Sequence, residues 1–178
     1  MPTNKIAEAM RNPVRGDLAK DKLEKRILQF LGEQTMCSLS TCSGDVPRAT
    51  PVEYYSDGMT LYINADPGTK LENLKKNARI SISICNNPKP EWTSERDWAT
   101  VKSAQITGKP TLLVDGMPEY ETALKVYKWQ IFTGACGLDT SKPNRQRTYI
   151  KVDCEKIEYM EFALKLDGFG ARQIWKKS

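Results

Sequence analysis

The segment Ala65-Asp66-Pro67-Gly68-Thr69-Lys70 gathers groups that suit a phosphate. It follows an alternating run, Met59–Asn64, and precedes a helical pattern, so its last two residues open a helix. Backbone N–H groups at a helix N-terminus, a Thr hydroxyl and a Lys ammonium together fit an oxyanion. Gly68 lets backbone and ligand approach closely. Lys75, Lys76 and Arg79 follow the turn, Arg48 lies on an earlier strand and Lys102 on a later one. Each adds to the local field only if it folds toward the turn. The stretch is not a Walker A loop, since the G-x-x-x-x-G-K pattern is absent. Taken alone, Thr69 as an ordinary N-cap and Lys70 as a solvated side chain are the simpler account.

The 178 residues include no histidine. Ser-His-Asp and Cys-His triads, His-based metal helices and imidazole acid–base chemistry are thereby excluded. The five cysteines, Cys37, Cys42, Cys85, Cys136 and Cys154, form no CxxC pair, so no metal site is assigned. They read as buried small hydrophobes. Redox chemistry here needs a borrowed cofactor. The 27 basic residues against 22 acidic ones give a net charge of +5, but they are dispersed, so no nucleic-acid partner is expected. No apolar run reaches the roughly 18 residues of a membrane span, and the first twenty residues lack a signal-peptide core. The expectation is a cytoplasmic protein with no membrane partner.

The elements that must hold such a site follow from periodicity. Residues 1–20 read as an N-terminal arm. From Asp21 to near Gly32, Leu23, Ile27, Phe30 and Leu31 recur on one helical face, widened by Leu18 and Leu28. Met36–Cys42, Pro47–Tyr55 and Met59–Asn64 are strand-like, separated by the turns Ser43-Gly44-Asp45 and Ser56-Asp57-Gly58, which predicts a meander. Met59, Leu61 and Ile63 give the last of these the period of a half-buried strand. Leu71, Leu74 and Ala78 mark the inner face of the helix opened by Thr69.

Ile80, Ile82 and Ile84 alternate in the clearest strand of the chain, and Asn86–Asp97 reads as a polar loop. Ala99–Thr107 and Pro110–Val114 read as a strand pair hinged at Gly108. Pro118 starts a second long helix through Tyr120, Ala123, Leu124, Tyr127 and Ile131, and Gly134–Asn144 is a second loop. Thr148–Met160 is strand-like, and the tail 163–178, with Ile174 and Trp175, adds a short strand. Six or seven strands and three irregularly inserted helices predict a mainly β fold (β + α), an antiparallel split barrel with peripheral helices in a single domain spanning 1–178.

The order of these elements over Leu28–Leu113 resembles the flavin-binding split-barrel family related to pyridoxamine 5′-phosphate oxidase. The residues that carry it are MCSLSTCSGDVPRATPVEYYSDGMTLYINADPGTKLENLKKNARISISIC and then SAQITGKPTLL. They match a Gly-x-Pro turn, a Thr-Pro-Val run, a Leu-Tyr-Phe type strand, Thr-Lys at a helix start and Asn-Leu within it. The turn Gly44-Asp45-Val46-Pro47 is one residue longer than the family pattern, and Asn77-Ala78-Arg79-Ile80 replaces its proline.

The resemblance implies FMN as cofactor. Thr69 and Lys70 take the family's positions for the flavin 5′-phosphate. Thr50, Pro51 and Val52 match the run lining the isoalloxazine, and Tyr62, Ile63 and Asn64 match the strand beneath it. Lys102 and Ser103 lie on a later strand that often adds a contact. For Val52, Tyr62 and Ile63, plain barrel core is the bland alternative. The family pairs two subunits with the flavin between them, which implies a homodimer. The four tryptophans, Trp92, Trp98, Trp129 and Trp175, exceed what a small barrel interior easily holds. Trp175 is a candidate to cover a flavin face in the partner, or a tail residue on its own barrel.

Flavin supplies the electron chemistry itself, so a chain without histidine can be an oxidoreductase. The tail Gly170-Ala171-Arg172-Gln173-Ile174-Trp175-Lys176-Lys177 lacks the Trp-x-x-x-Arg segment of the vitamin B6 oxidases. The expected activity is therefore flavin-dependent reduction of an unidentified small acceptor. The alternatives are a flavin-binding sensor or stress module without turnover, or a barrel holding deazaflavin or haem.

Overall fold

The computed structural model describes residues 7–8, 11, 16–88 and 95–177. Most of the expected N-terminal arm, and Trp92, lie outside the described residues. Helix α1 (Lys20–Glu33) buries Leu23, Ile27, Phe30 and Leu31, the stripe its spacing predicts. Leu28 does not widen that stripe: it is 42% exposed, because one residue beyond Ile27 the helix has turned about 100° away.

Strands β1 (Met36–Ser43) and β2 (Val46–Glu53) form a hairpin across Gly44, whose φ of 61° suits the turn. Strand β3 (Tyr55–Asp57) is separated from β2 by Tyr54, so Pro47–Tyr55 is not one strand. Tyr54 is fully buried: its N–H donates to the Thr35 carbonyl at 2.8 Å and its hydroxyl to that of Leu31 at 2.9 Å. These two bonds turn the chain into β3 and tie it to the end of α1. Strand β4 (Thr60–Ala65) then leads into helix α2 (Thr69–Lys76).

Strand β5 (Ile80–Cys85) carries the alternating isoleucines inward. Helix α3 (Glu95–Ala99) occupies part of the polar segment read as loop. Strand β6 (Lys102–Leu113) is continuous, where the sequence predicts two strands hinged at Gly108. Gly108 instead marks a bulge against the next long strand, and a Cβ there would collide with the Asp153 carbonyl. The second long helix is two short ones, α4 (Tyr120–Val126) and α5 (Trp129–Ala135), broken at Lys128 with φ of 51°. Ile131, expected on the inner face, is 69% exposed beyond that break, and Ala78 is exposed past the end of α2. Strand β7 (Thr148–Glu161), a 3-10 helix (Phe162–Asp167) and strand β8 (Arg172–Lys176) complete the chain.

Eight antiparallel strands form one curled sheet in the order β2-β1-β5-β6-β7-β4-β3, with β8 also on β7. This is the mainly β, antiparallel split barrel with peripheral helices that the element pattern predicts. The first strands are not a simple meander, because β4 pairs with β3 and β7 rather than with β2. Leu39, Leu61, Ile63, Ile82, Ile84, Ile106, Ile150 and Ile157 pack with the inner face of α1 in the main core. A second cluster on the outer face of β4 joins Tyr62, Leu113 and Tyr149 to Tyr120, Ala123, Leu124 and Tyr127. Strand β4 is therefore buried on both faces, not half-buried.

Candidate functional site

The β4–α2 turn forms as the sequence predicts, but its cap is different. Gly68, at φ 149°, holds the N-cap position and Thr69 is the first helical residue, with no side-chain capping bond. The Gly68 carbonyl accepts from the N–H groups of Leu71 and Glu72. The N–H groups of Thr69 and Lys70 come before the first intrahelical bonds and face the end of the helix. The exposed Thr69 side chain is open to solvent. The Lys70 ammonium is turned back on its own chain, donating to the Asp66 carbonyl at 2.8 Å.

Helix α2 is anchored from its middle. Asn73, buried, donates to the Thr41 hydroxyl at 3.1 Å, and Asn77 donates to the Cys42 carbonyl at 3.2 Å. Thr41 is the register partner of Arg48 on β2, so α2 lies over the Arg48 end of that strand. Among the described residues, Arg48, Lys75, Lys76 and Arg79 form no ion pair. Their charges stand at this end of the barrel together with the exposed carboxylates of Asp66 and Glu72.

The Thr50-Pro51-Val52 run divides by pleat. Thr50 pairs with Leu39 and Val52 with Cys37, both core residues, so their side chains face the barrel interior and Val52 packs on the main core. The buried Thr50 Oγ1 has no hydrogen-bond partner among the described residues. Pro51 faces outward, as does Glu53. On β4, Ile63 is fully buried in the main core, which is its bland reading. Tyr62 and Asn64 share the outer face. Burial raises the Tyr62 phenol, partly offset by the Lys151 ammonium. The buried Asn64 Oδ1 also has no partner.

Glu53 and Tyr127 join these strands, and the sequence pattern did not single them out as site residues. The Tyr127 hydroxyl donates to Glu53 Oε2 at 2.6 Å and the Tyr55 hydroxyl to Oε1 at 3.1 Å. Burial, then the bond to Glu53, raises the Tyr127 phenol well above the ordinary range, while the Asn64 side chain beside it pulls the other way. The available signal was Glu53 directly after Val52, at the end of a strand that otherwise ends in apolar residues. Tyr127 was masked by its place in an apolar helical stripe.

Three candidates do not join this group within one chain. Lys102 pairs with Glu161 at 3.9 Å, and Ser103 sits beside Cys85 and Met160. Asn64 is in register with Tyr149, which pairs with Leu113 at the other end of β6, about 35 Å along the strand from Lys102. Trp175 is 6% exposed in its own core, its indole N–H donating to Glu24 Oε1 at 2.7 Å. It is the tail residue on its own barrel, not a ring presented to a neighbouring subunit. Trp98 packs on Phe162 and Trp129 on the second cluster, so the three described tryptophans do not argue for an interface.

Among the described residues there is no cluster of Cys, Asp and Glu able to hold a metal ion, and no helix is long and apolar enough to cross a membrane. The family described as Pyridoxamine 5'-phosphate oxidase matches residues 23–161. The uncharacterized protein RA0666 of Rhizobium meliloti (strain 1021) is 31% identical over 74 residues, 42% of this chain and 44% of that protein. The match thus spans less than half of that relative's length. Among solved structures, a putative pyridoxamine 5'-phosphate oxidase from Listeria innocua is similar at TM-score 0.57 and 22% identity, covering 77% of this chain and 97% of that one. A FAD-binding protein from Mesorhizobium loti gives 0.56 and 17%, covering 72% and 87%. HutZ, the haem storage protein from Vibrio cholerae, gives 0.55 and 14%, covering 75% and 90%. At these identities the structural likeness speaks for the fold alone.

Proposed function

Because the chain belongs to the pyridoxamine 5'-phosphate oxidase family, we propose that it binds FMN at the β2–β4–α2 end of the barrel and serves as a flavin-dependent oxidoreductase on a small acceptor. The observation that carries this reading is the buried Asn64 Oδ1, an acceptor without a donor, five residues before a helix start with open N–H groups. A buried polar atom left unpaired costs about 1–3 kcal/mol, and an imide N–H of a flavin ring is a donor of the right kind. Thr50 Oγ1, on β2, is the other buried side-chain atom without a partner among the described residues.

At the other end of the cofactor, the Thr69 hydroxyl and the Thr69 and Lys70 N–H groups are the phosphate ligands in this reading. Lys70 joins them by leaving the Asp66 carbonyl, a contact that an incoming oxyanion outcompetes as a charge-assisted partner. Arg48, Lys75, Lys76 and Arg79 supply the surrounding positive field. Once bound, flavin supplies hydride and electron transfer. Haem is the lesser reading, since a chain without histidine leaves only Cys, Met or Tyr to ligate it.

We also place the protein in a homodimer. Within one chain, the Lys102–Ser103 end of β6 is remote from Asn64 and Thr69; an antiparallel pairing of two barrels is an arrangement that unites them. Among the described residues the outer edge of β2 has no strand partner, which leaves it for a neighbour. Titration with FMN, FAD and riboflavin, followed by absorbance, tests the cofactor. FMN is expected to bind tightest. Asn64→Leu is expected to weaken FMN about tenfold, because it removes the acceptor assigned to the flavin ring. Unchanged FMN affinity in that variant would overturn the assignment.

A further inference from the structure

Helices α4 and α5 and the 136–147 segment border an open-sided cavity of about 200 Å³. Tyr127, Trp129, Phe132 and Tyr149 line it. The Tyr127 ring lies 5.7 Å from that of Tyr149 and 6.5 Å from that of Phe132, so the aromatic wall is contiguous. The fully buried Tyr149 and the nearly buried Tyr127 fix one side of it against the barrel.

The polar part of the lining is as informative as the rings. The Arg147 guanidinium carbon stands 5.8 Å from the centre of the Phe132 ring. Among the described residues neither Arg147 nor Lys142 forms an ion pair. The one carboxylate in the lining, Asp139, is occupied by the N–H of Ser141 at 2.8 Å and its hydroxyl at 2.7 Å. Two cations and one carboxylate leave the cavity one positive charge in excess, and the half-buried Arg147 is the cation held against the rings.

Size narrows the occupant. An apolar cavity of about 150 Å³ holds a benzene ring, whereas drug-sized ligands take roughly 300–1,000 Å³. The cavity volume matches a single aromatic ring. A guanidinium offers a planar fork matched to a carboxylate, and aromatic walls favour a planar ring in offset or edge contact.

We propose that this cavity is a second ligand site that binds a monocyclic aromatic monocarboxylate, its ring among Tyr127, Trp129 and Phe132 and its carboxylate on Arg147. Asp139 selects against a second negative charge on the ligand. The site does not depend on the flavin reading, but it is mechanically joined to the same strands. Tyr127 holds Glu53 directly after Val52, and Tyr149 is the register partner of Asn64.

Benzoate, its neutral isostere benzamide and the dianion phthalate are the probes, added to the full chain and followed by tryptophan fluorescence and saturation-transfer NMR. Benzoate is expected to bind saturably and at least tenfold more tightly than benzamide or phthalate. Arg147→Met is expected to erase the preference over benzamide. Trp129→Phe should remove most of the fluorescence response and leave saturation transfer intact. Should Arg147→Met fail to fold, the shift of the Arg147 Nε–H resonance on benzoate addition to the unaltered protein reports the same contact. Equal affinity for benzoate and benzamide, no saturable binding, or an unmoved Arg147 resonance overturns the proposal. The FMN titration is read separately, so failure of one site leaves the other standing.

Discussion

Glu53 has both carboxylate oxygens occupied by phenols from two different elements, Tyr55 on β3 and Tyr127 at the end of α4. Charge-assisted bonds of this kind contribute about 1.5–3 kcal/mol each. Tyr127→Phe is therefore expected to lower stability by about that amount in urea titrations; a change below about 0.5 kcal/mol would show that the clamp is slack. Lys70 makes a subtler prediction. Its ammonium is assigned to a phosphate, so Lys70→Ala should weaken FMN more than riboflavin, and equal losses for both would remove that role. The buried thiols give the pH dependence. Burial pushes Cys37 and Cys154 up to about 12 from 9.0. Above pH 9 the unfolded thiols lose protons that the folded ones keep, so the folded chain binds more protons. Stability is fully present below about pH 9 and falls toward pH 12, by about 1.4 kcal/mol per pH unit for each thiol. Urea midpoints at pH 8, 9 and 10 check this, and Cys154→Ala should shallow the slope.

Gly108 shows how an element can be legible while its geometry is not. Its flexibility reads as a break, yet β6 passes through it unbroken, because the missing Cβ lets the Asp153 carbonyl of β7 close in. Gly108→Ala is expected to cost about 1–3 kcal/mol through overpacking; a stability loss within error would mean the bulge relaxes freely. The same limit explains the split helix. Tyr120, Ala123, Leu124 and Tyr127 keep helical spacing, and Lys128 then adopts a left-handed conformation that no local pattern announces. Where burial alone sets the period, as in α1 and β5, spacing located the elements to within a few residues. The β4–α2 turn was legible too, since Gly, Thr and Lys at a strand-to-helix switch have few other uses. Glu53 with Tyr127, and the cavity beside them, depend on partners 74 residues apart, a distance over which periodicity carries no information.

At the scale of the whole molecule, the β1–β2 hairpin exposes Met36 on its outer face and Val46 beside its turn on the other, 55% and 71% exposed. An unpaired edge strand and exposed apolar side chains are surfaces that proteins normally cover. Sedimentation is expected to give twice the 20.2 kDa chain mass, and a monomer at micromolar concentration would rule out the paired arrangement. Dilution that splits such a pair should also release FMN. The topology carries one more consequence, for the order in which the molecule can be assembled. Strand β7 bonds to β6 along its length, and on its other side to β4 and then β8. A growing chain that has emerged as far as α5 already contains β4, yet β4 must wait for residues 148–153 before it gains its second neighbour. Until then one hydrogen-bonding edge of β4 stays unpaired, so the sheet closes around β4 only after β7 has been made.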